Sequence, residues 1–151
     1  MFSIETRHLF TMTMKSERQV LGATPWGQRR VVVVTEASIE GPRINATLLP
    51  GGSDWVTEAT DGTSRIDCRL VFRTEDGSLI GIKYQGLRHG TADVVGRVNR
   101  GEHFEPSEIY HRVAMFFETA ATDYLWLNGV LGVGLIRHGP SGPVYEIFEV
   151  L

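Results

Sequence analysis

Apolar and polar residues alternate along most of this chain with a period of two, the spacing of a strand with one face in a core and the other in water. Ile4 to Met14 begins the pattern, with Ile4, His8, Phe10, Met12 and Met14 on one face and Glu5, Arg7, Thr11 and Thr13 largely on the other. A polar connection through Gly22, Pro25 and Gly27 follows. Arg30 to Ile39 then carries Val31-Val32-Val33-Val34, whose β-branched side chains suit a pleated sheet better than a helix. Gly41-Pro42 ends that run, Ile44 to Leu49 forms the next, and Pro50-Gly51-Gly52 breaks the chain sharply before Ser53-Asp54-Trp55. Val56 to Thr60, Ile66 to Thr74 and Leu79 to Leu87 are joined by Asp61-Gly62 and Glu75-Asp76-Gly77. Asp61-Gly62 reads as a type I′ turn, in which both central residues take positive φ. The two Asp-Gly turns predict a meander of at least three antiparallel strands.

The period changes once. Thr91 is placed to cap a helix, Asp93 favours its positive end, Val94, Val95 and Val98 form a narrow apolar stripe, and Gly101 stops it. Glu105-Pro106-Ser107-Glu108 is a turn, His111 to Thr119 a strand, and Thr122 to Leu127 a short helical or irregular connection. Val130 to Arg137 and Val144 to Val150 make a last hairpin around Gly139-Pro140-Ser141-Gly142. The fold class that follows is mainly β: an antiparallel up-and-down β-barrel, or closed sandwich, of about 8–9 strands with one short helix. Closure removes the edges that so many strands would otherwise expose. A barrel of about eight strands is either filled by its own side chains or holds one small ligand. No repeat or low-complexity linker divides residues 1–151, so a single domain is expected.

Composition narrows the partners. A chain of 151 residues can bury a core without staples, and its 17 glycines fit many tight turns. The net charge of −3 argues against nucleic acid, which calls for a clustered basic surface. Cys68 is the only cysteine, so there is no intrachain disulfide and no thiolate cluster. Charged residues between Met1 and His8 stand where a signal peptide needs an apolar run. The most apolar stretch, Leu125 to Ile136, falls short of the ~20 residues that span a bilayer. The expectation is a soluble, cytoplasmic protein with neither nucleic acid nor membrane as partner.

Several segments together carry a resemblance. These are Leu21-Gly22-Ala23-Thr24-Pro25, Gly27-Gln28-Arg29-Arg30, Glu40-Gly41-Pro42-Arg43 and Leu49-Pro50-Gly51-Gly52-Ser53-Asp54-Trp55, then Gly86-Leu87-Arg88-His89-Gly90, Phe116 with Glu118-Thr119, and Tyr124 with Trp126-Leu127-Asn128. In this order, from Leu9 to Val150, the chain resembles the domain of unknown function 3237 family, an uncharacterised protein family of bacteria and fungi. The resemblance implies a cytoplasmic β-barrel that usually occurs alone, with no cofactor and no family-wide reaction. The chain departs from the pattern at Val31-Val32-Val33-Val34, where many relatives are expected to carry a glycine pair, a change in the wall of any pocket there.

On the strand from Tyr110 to Glu118, alternation puts Tyr110, Arg112, Ala114, Phe116 and Glu118 on one face and His111, Val113, Met115 and Phe117 on the other. If the first face lines a lumen, a carboxylate, a guanidinium and a phenol share a partly desolvated space and can move a proton. If Val113, Met115 and Phe117 fill the core, Arg112 and Glu118 face water instead. Asp54, after Gly51-Gly52, is a second candidate base or a turn residue accepting backbone N–H groups. Arg88 and His89 precede the helix and either grip an anion or pair locally. Asn128 either donates to a substrate carbonyl or satisfies its own loop. His8, His89, His103, His111 and His138 lack the spacing of a metal site, and phosphate-loop, dinucleotide and nucleophile-elbow motifs are missing.

The leading reading is a cofactor-independent acid/base enzyme (isomerase, cyclase, lyase or hydratase) acting on a small apolar oxygenated molecule. Glu118 or Asp54 is its acid or base, Tyr110 a hydrogen-bond donor and Arg112 the stabiliser of developing charge. Trp55, Phe116 and Trp126 shape the site, and Asn128 and Arg88 contact substrate. One alternative is a non-catalytic small-molecule-binding barrel. Another is a homo-oligomeric interaction module joined through apolar outer faces such as Val113, Met115 and Phe117.

Overall fold

A computed structural model describes every residue from Met1 to Leu151. It contains β1 (Thr6–Thr24), β2 (Gly27–Glu40), β3 (Asn45–Leu48), β4 (Ser53–Glu58), β5 (Ser64–Thr74), β6 (Leu79–Gly90), α1 (Ala92–Asn99), β7 (Ile109–Glu118), β8 (Leu131–Gly139) and β9 (Gly142–Val150), with short 3-10 helices at Pro106–Glu108 and Thr122–Gly129. All pairings are antiparallel, and β9 returns to β1, so the sheet closes into a ring. The nine strands make eight staves, because β3 pairs with the end of β2 and β4 with its beginning while both pair with β5. Pro50-Gly51-Gly52 is the interruption in that shared stave, with Gly51 at φ 114°. The up-and-down barrel with one α-helix is the architecture its alternation predicts.

Two local expectations change. Gly62 has φ 86° but no non-glycine residue has positive φ, so Asp61-Gly62 is not a type I′ turn. The Gly62 N–H donates to the Ala59 carbonyl and Ala59 N–H to the Thr63 carbonyl, a three-residue loop with glycine in the left-handed position. Asp61 accepts from the Thr63 N–H at 2.9 Å across this loop. β1 also runs ten residues past Met14, to Thr24, and only Pro25 and Trp26 turn it into β2. Residues 15 to 21 of this arm are exposed on both faces, so no period of two marks them as strand.

Alternation decides what faces inward. On β5, Ser64, Ile66, Cys68, Leu70, Phe72 and Thr74 are buried, while Arg65, Asp67, Arg69, Val71 and Arg73 are exposed. On β7, Ile109, His111, Val113, Met115 and Phe117 are buried, and Tyr110, Arg112, Ala114, Phe116 and Glu118 are exposed. Each large apolar side chain taken inside contributes about 1.5–3 kcal/mol. Turning the strand over would expose four of them and bury Arg112 and Glu118 instead, which is costly without pairing. One end of the barrel is filled by Phe10, Ile39, Phe72, Ile80 and Phe117, all buried. Phe10 and Phe117 meet edge-on at 6.0 Å, and Leu127 of the Thr122–Gly129 helix is fully buried there. The opposite end, where α1 and the β8–β9 turn lie, is not filled.

Candidate functional site

That open end holds a cavity of about 460 Å³, within the size range of small-molecule sites. Its wall is mixed: Met14, Val32, Val34, Val56, Ile66, Val98, Phe104 and Ile136 supply apolar surface, and Arg30, Asp54, Ser64, Arg88, His111 and Tyr145 interrupt it. The polar members are ordered by strand register. Ser64, Arg88 and His111 are direct cross-strand partners on β5, β6 and β7, and all three are buried. Further from the mouth, Asp54, Cys68, Tyr84 and Met115 form a second row across β4 to β7. Between the rows stands Gly86, where an added Cβ would lie 2.5 Å from the Arg112 carbonyl oxygen and 2.8 Å from Val113 Cγ1.

Asp54 is 7% exposed. Its Oδ1 accepts the Asp67 N–H at 3.2 Å, and it forms no ion pair. Burial raises its carboxyl to about 6, against the pull of that hydrogen bond and of Arg30. Arg88 is also 7% exposed. Its Nη2 donates to Asn99 Oδ1 at 2.9 Å and to Ser64 Oγ at 3.5 Å, while Nε is buried without a partner. Burial, with Arg30 nearby, lowers Arg88 to about 10, so it stays charged at neutral pH. His111 is pushed down to about 3 by burial and by Arg88 and Arg112, so its ring is neutral, and its Nε2 is buried without a partner. Tyr145 has its ring centroid 6.1 Å from His111 and 5.6 Å from Tyr84. Burial raises both phenols well above their ordinary range, so they remain protonated. Arg30 is paired with Glu58 at 3.2 Å. The helix α1 is tied to this wall by Arg88 and by Arg18, whose Nη2 donates to the Asn99 carbonyl at 3.4 Å.

Of the residues singled out from the sequence, Asp54 and Arg88 line the cavity. Tyr110, Arg112, Phe116 and Glu118 do not share a lumen with them. They occupy the outer face of β7, because Ile109, Val113, Met115 and Phe117 take the interior. For the same reason Val113, Met115 and Phe117 are core, not an outer face for joining subunits. Trp55 also points outward, at 46% exposure, and lines a shallow groove on the outer wall together with Tyr110 and Arg112. There the Arg112 guanidinium lies 5.0 Å over the Tyr110 ring, and His89 stacks on that ring at 4.8 Å. Trp126 lies under Arg43 at 3.7 Å, outside the cavity wall. Asn128 is consumed locally, accepting from the Thr119 N–H and donating to the Thr119 carbonyl, each at 2.9 Å. Val32 and Val34, in the four-valine run, line the cavity.

Sequence reasoning missed His111, Tyr145, Ser64 and Arg30. Three of them carried a signal: His111, Ser64 and Tyr145 sit at the buried parity of strands whose other buried members are mainly apolar. No cluster of three or more His, Cys, Asp and Glu side chains suited to a metal occurs.

The chain matches, over residues 4–150, the model of a family described as a protein of unknown function (DUF3237). It belongs to that family. A UPF0311 protein of Rhodopseudomonas palustris is 27% identical over 150 residues, 99% of this chain and 98% of that protein. The crystal structure of a conserved protein of unknown function from the same organism superposes with a TM-score of 0.93 at 27% identity, covering 100% of both chains. A β-barrel-like protein from Acinetobacter baumannii gives 0.79 at 28% identity, over 99% of this chain and 96% of that one. A structure described as an enzyme from Penicillium herquei shares the fold, with a TM-score of 0.74 at 21% identity over 98% of this chain and 95% of that one. The barrel is therefore the family architecture, and this DUF3237 member builds its polar rows inside it.

Proposed function

We propose that this DUF3237 barrel is an acid/base enzyme that moves a proton on a small oxygenated molecule held in the open half of the barrel. The observation that supports this most is Asp54, a buried carboxyl on the cavity wall with no ion-pair partner, held at about 6 by burial. A carboxyl in that range is largely ionised at neutral pH yet close enough to it to take a proton and return it. The electron pair left by the proton moves toward a substrate oxygen. The protonated Tyr145 phenol stands on the same wall as a donor for that oxygen. Reprotonation by the Asp54 carboxylic acid at another atom completes an isomerisation, and loss of a leaving group instead completes an elimination. The Penicillium herquei structure described as an enzyme is compatible with chemistry in this barrel.

The test is proton exchange into small apolar carbonyl compounds in deuterated water, followed by ¹H NMR for the wild type and Asp54→Asn. The proposal expects exchange in the wild type and a loss of at least about 100-fold in the variant, with binding retained. A compound that binds and returns unexchanged from both proteins makes the barrel a carrier.

A further inference from the structure

We infer that the molecule this cavity takes is a small organic acid, with its carboxylate received by Arg88 beside His111 and its apolar body along Val32, Val56, Ile66 and Ile136. The inference rests on the cavity being a ligand site, as the proposed function has it, and adds the chemical class of the ligand.

Arg88 is buried and charged, yet both groups that accept from it, Ser64 and Asn99, are neutral. The acids around it are engaged elsewhere: Glu58 pairs with Arg30 at 3.2 Å, Glu102 with Arg100 at 2.9 Å, and Asp54 lies in the deeper row bonded to the Asp67 N–H. A buried guanidinium without a counter-ion is costly, and that cost is relieved when an anion enters. Its free Nε points to a second donor for a bidentate acceptor, the geometry of a carboxylate.

The second observation is independent. His111 is the cross-strand partner of Arg88, and its Nε2 is also buried with no partner. Because that ring is neutral, its Nε2–H tautomer adds a hydrogen bond without a second charge. Counting the charged groups that line the cavity together with their ion-pair partners, the guanidiniums of Arg18, Arg30, Arg88 and Arg100 face the carboxylates of Asp54, Glu58 and Glu102. That leaves one positive charge in excess, which a monoanion matches and a phosphate dianion overshoots. With Arg88 on the permanent carboxylate, Tyr145 is left for charge that develops during proton transfer.

Matched probes test this: benzoate and 1-naphthoate against benzamide and 1-naphthamide, titrated calorimetrically at pH 7 into wild type, Arg88→Met, His111→Gln and Asp54→Asn. Either acid should bind wild type at least about 10-fold tighter than its amide, the scale of one charge-assisted bond. Arg88→Met should erase that gap, His111→Gln should narrow it, and Asp54→Asn should keep it. Ligand-free Arg88→Met should also melt above the wild type, because an unpaired buried charge is gone. If Arg88→Met does not fold, His111→Gln decides. Acid and amide binding alike, neither acid binding, a gap unchanged in His111→Gln, or a gap surviving in Arg88→Met overturns the inference. Failure of the acid/base reading shows separately, as proton exchange that survives Asp54→Asn while the acid preference persists.

Discussion

Asp54 and Arg88 face one cavity from the two strands that flank β5, and they do not pair. The register explains why: Asp54 is level with Cys68, whereas Arg88 is level with Ser64, four residues along the same strand. An ion pair would fix Asp54 as a low-pKa carboxylate and neutralise Arg88. Apart, one is a carboxyl that titrates near neutrality and the other a cation open to a ligand.

This arrangement has a stability signature. Asp54 titrates at about 6 in the fold against an ordinary value of 3.8, so the folded state holds the proton more tightly than the unfolded chain does. Its contribution is therefore most favourable below pH 3.8 and is lost as pH rises through about 6, a change of roughly 2–3 kcal/mol. Asp54→Asn removes that titration. Thermal melts should show the variant gaining on the wild type by more at pH 8 than at pH 4.5, and equal differences at both pH values would contradict the buried-carboxyl account.

His111 acts in the opposite direction. Its pKa falls from 6.5 to about 3 in the fold, so stability is full above pH 6.5 and drains away as pH falls toward 3. Arg88 and Arg112 are the charges that reinforce the effect of burial on it. His111→Gln should therefore flatten the acid limb of the denaturation curve between pH 6.5 and pH 4. An acid limb as steep as that of the wild type would show that the imidazole is not buried neutral.

How much was legible in the sequence differs between fold and site. The barrel was legible because clean alternation, as on β5, and Asp-Gly turns between strands state both strand and connection. The site was half legible. Asp54 and Arg88 stood out as charges beside glycines, but on β7 attention goes to Tyr110, Arg112 and Glu118, the richer chemical face. Two faces of one strand compete for the interior, and Ile109, Val113, Met115 and Phe117 win it by apolar area. His111, the polar member of the winning face, is the residue to look for. The continuation of β1 past Met14 was illegible for a related reason: an arm with both faces in water has no alternation to read.

The outer face of β7 gives a direct check on that parity. Glu118→Gln and Arg112→Gln remove charges from exposed positions, so stability should move by no more than about 0.5 kcal/mol. Any turnover lost in Asp54→Asn should be retained in both. Loss of turnover in Glu118→Gln alone would return catalysis to the outer face.

Gly86 tests the packing between the two polar rows. A Cβ there would press on the Arg112 carbonyl, a backbone atom that cannot swing away, at 2.5 Å. Gly86→Ala should cost about 1–3 kcal/mol in denaturant unfolding. A neutral effect would mean that β6 and β7 are less closely apposed beside the cavity than a 2.5 Å approach implies.

The most direct test of the central claim needs no substrate. With aspartate side-chain carboxyls labelled with ¹³C, a pH titration by NMR reports each group separately, and Asp54→Asn assigns the resonance. The account predicts that the Asp54 carboxyl titrates near pH 6, while Asp61 and Asp76, which accept hydrogen bonds in their turns, titrate below the ordinary value. A midpoint near the ordinary value of 3.8 would contradict it, because Asp54 would then be a solvated or paired carboxylate and not a proton-transfer group in a cavity.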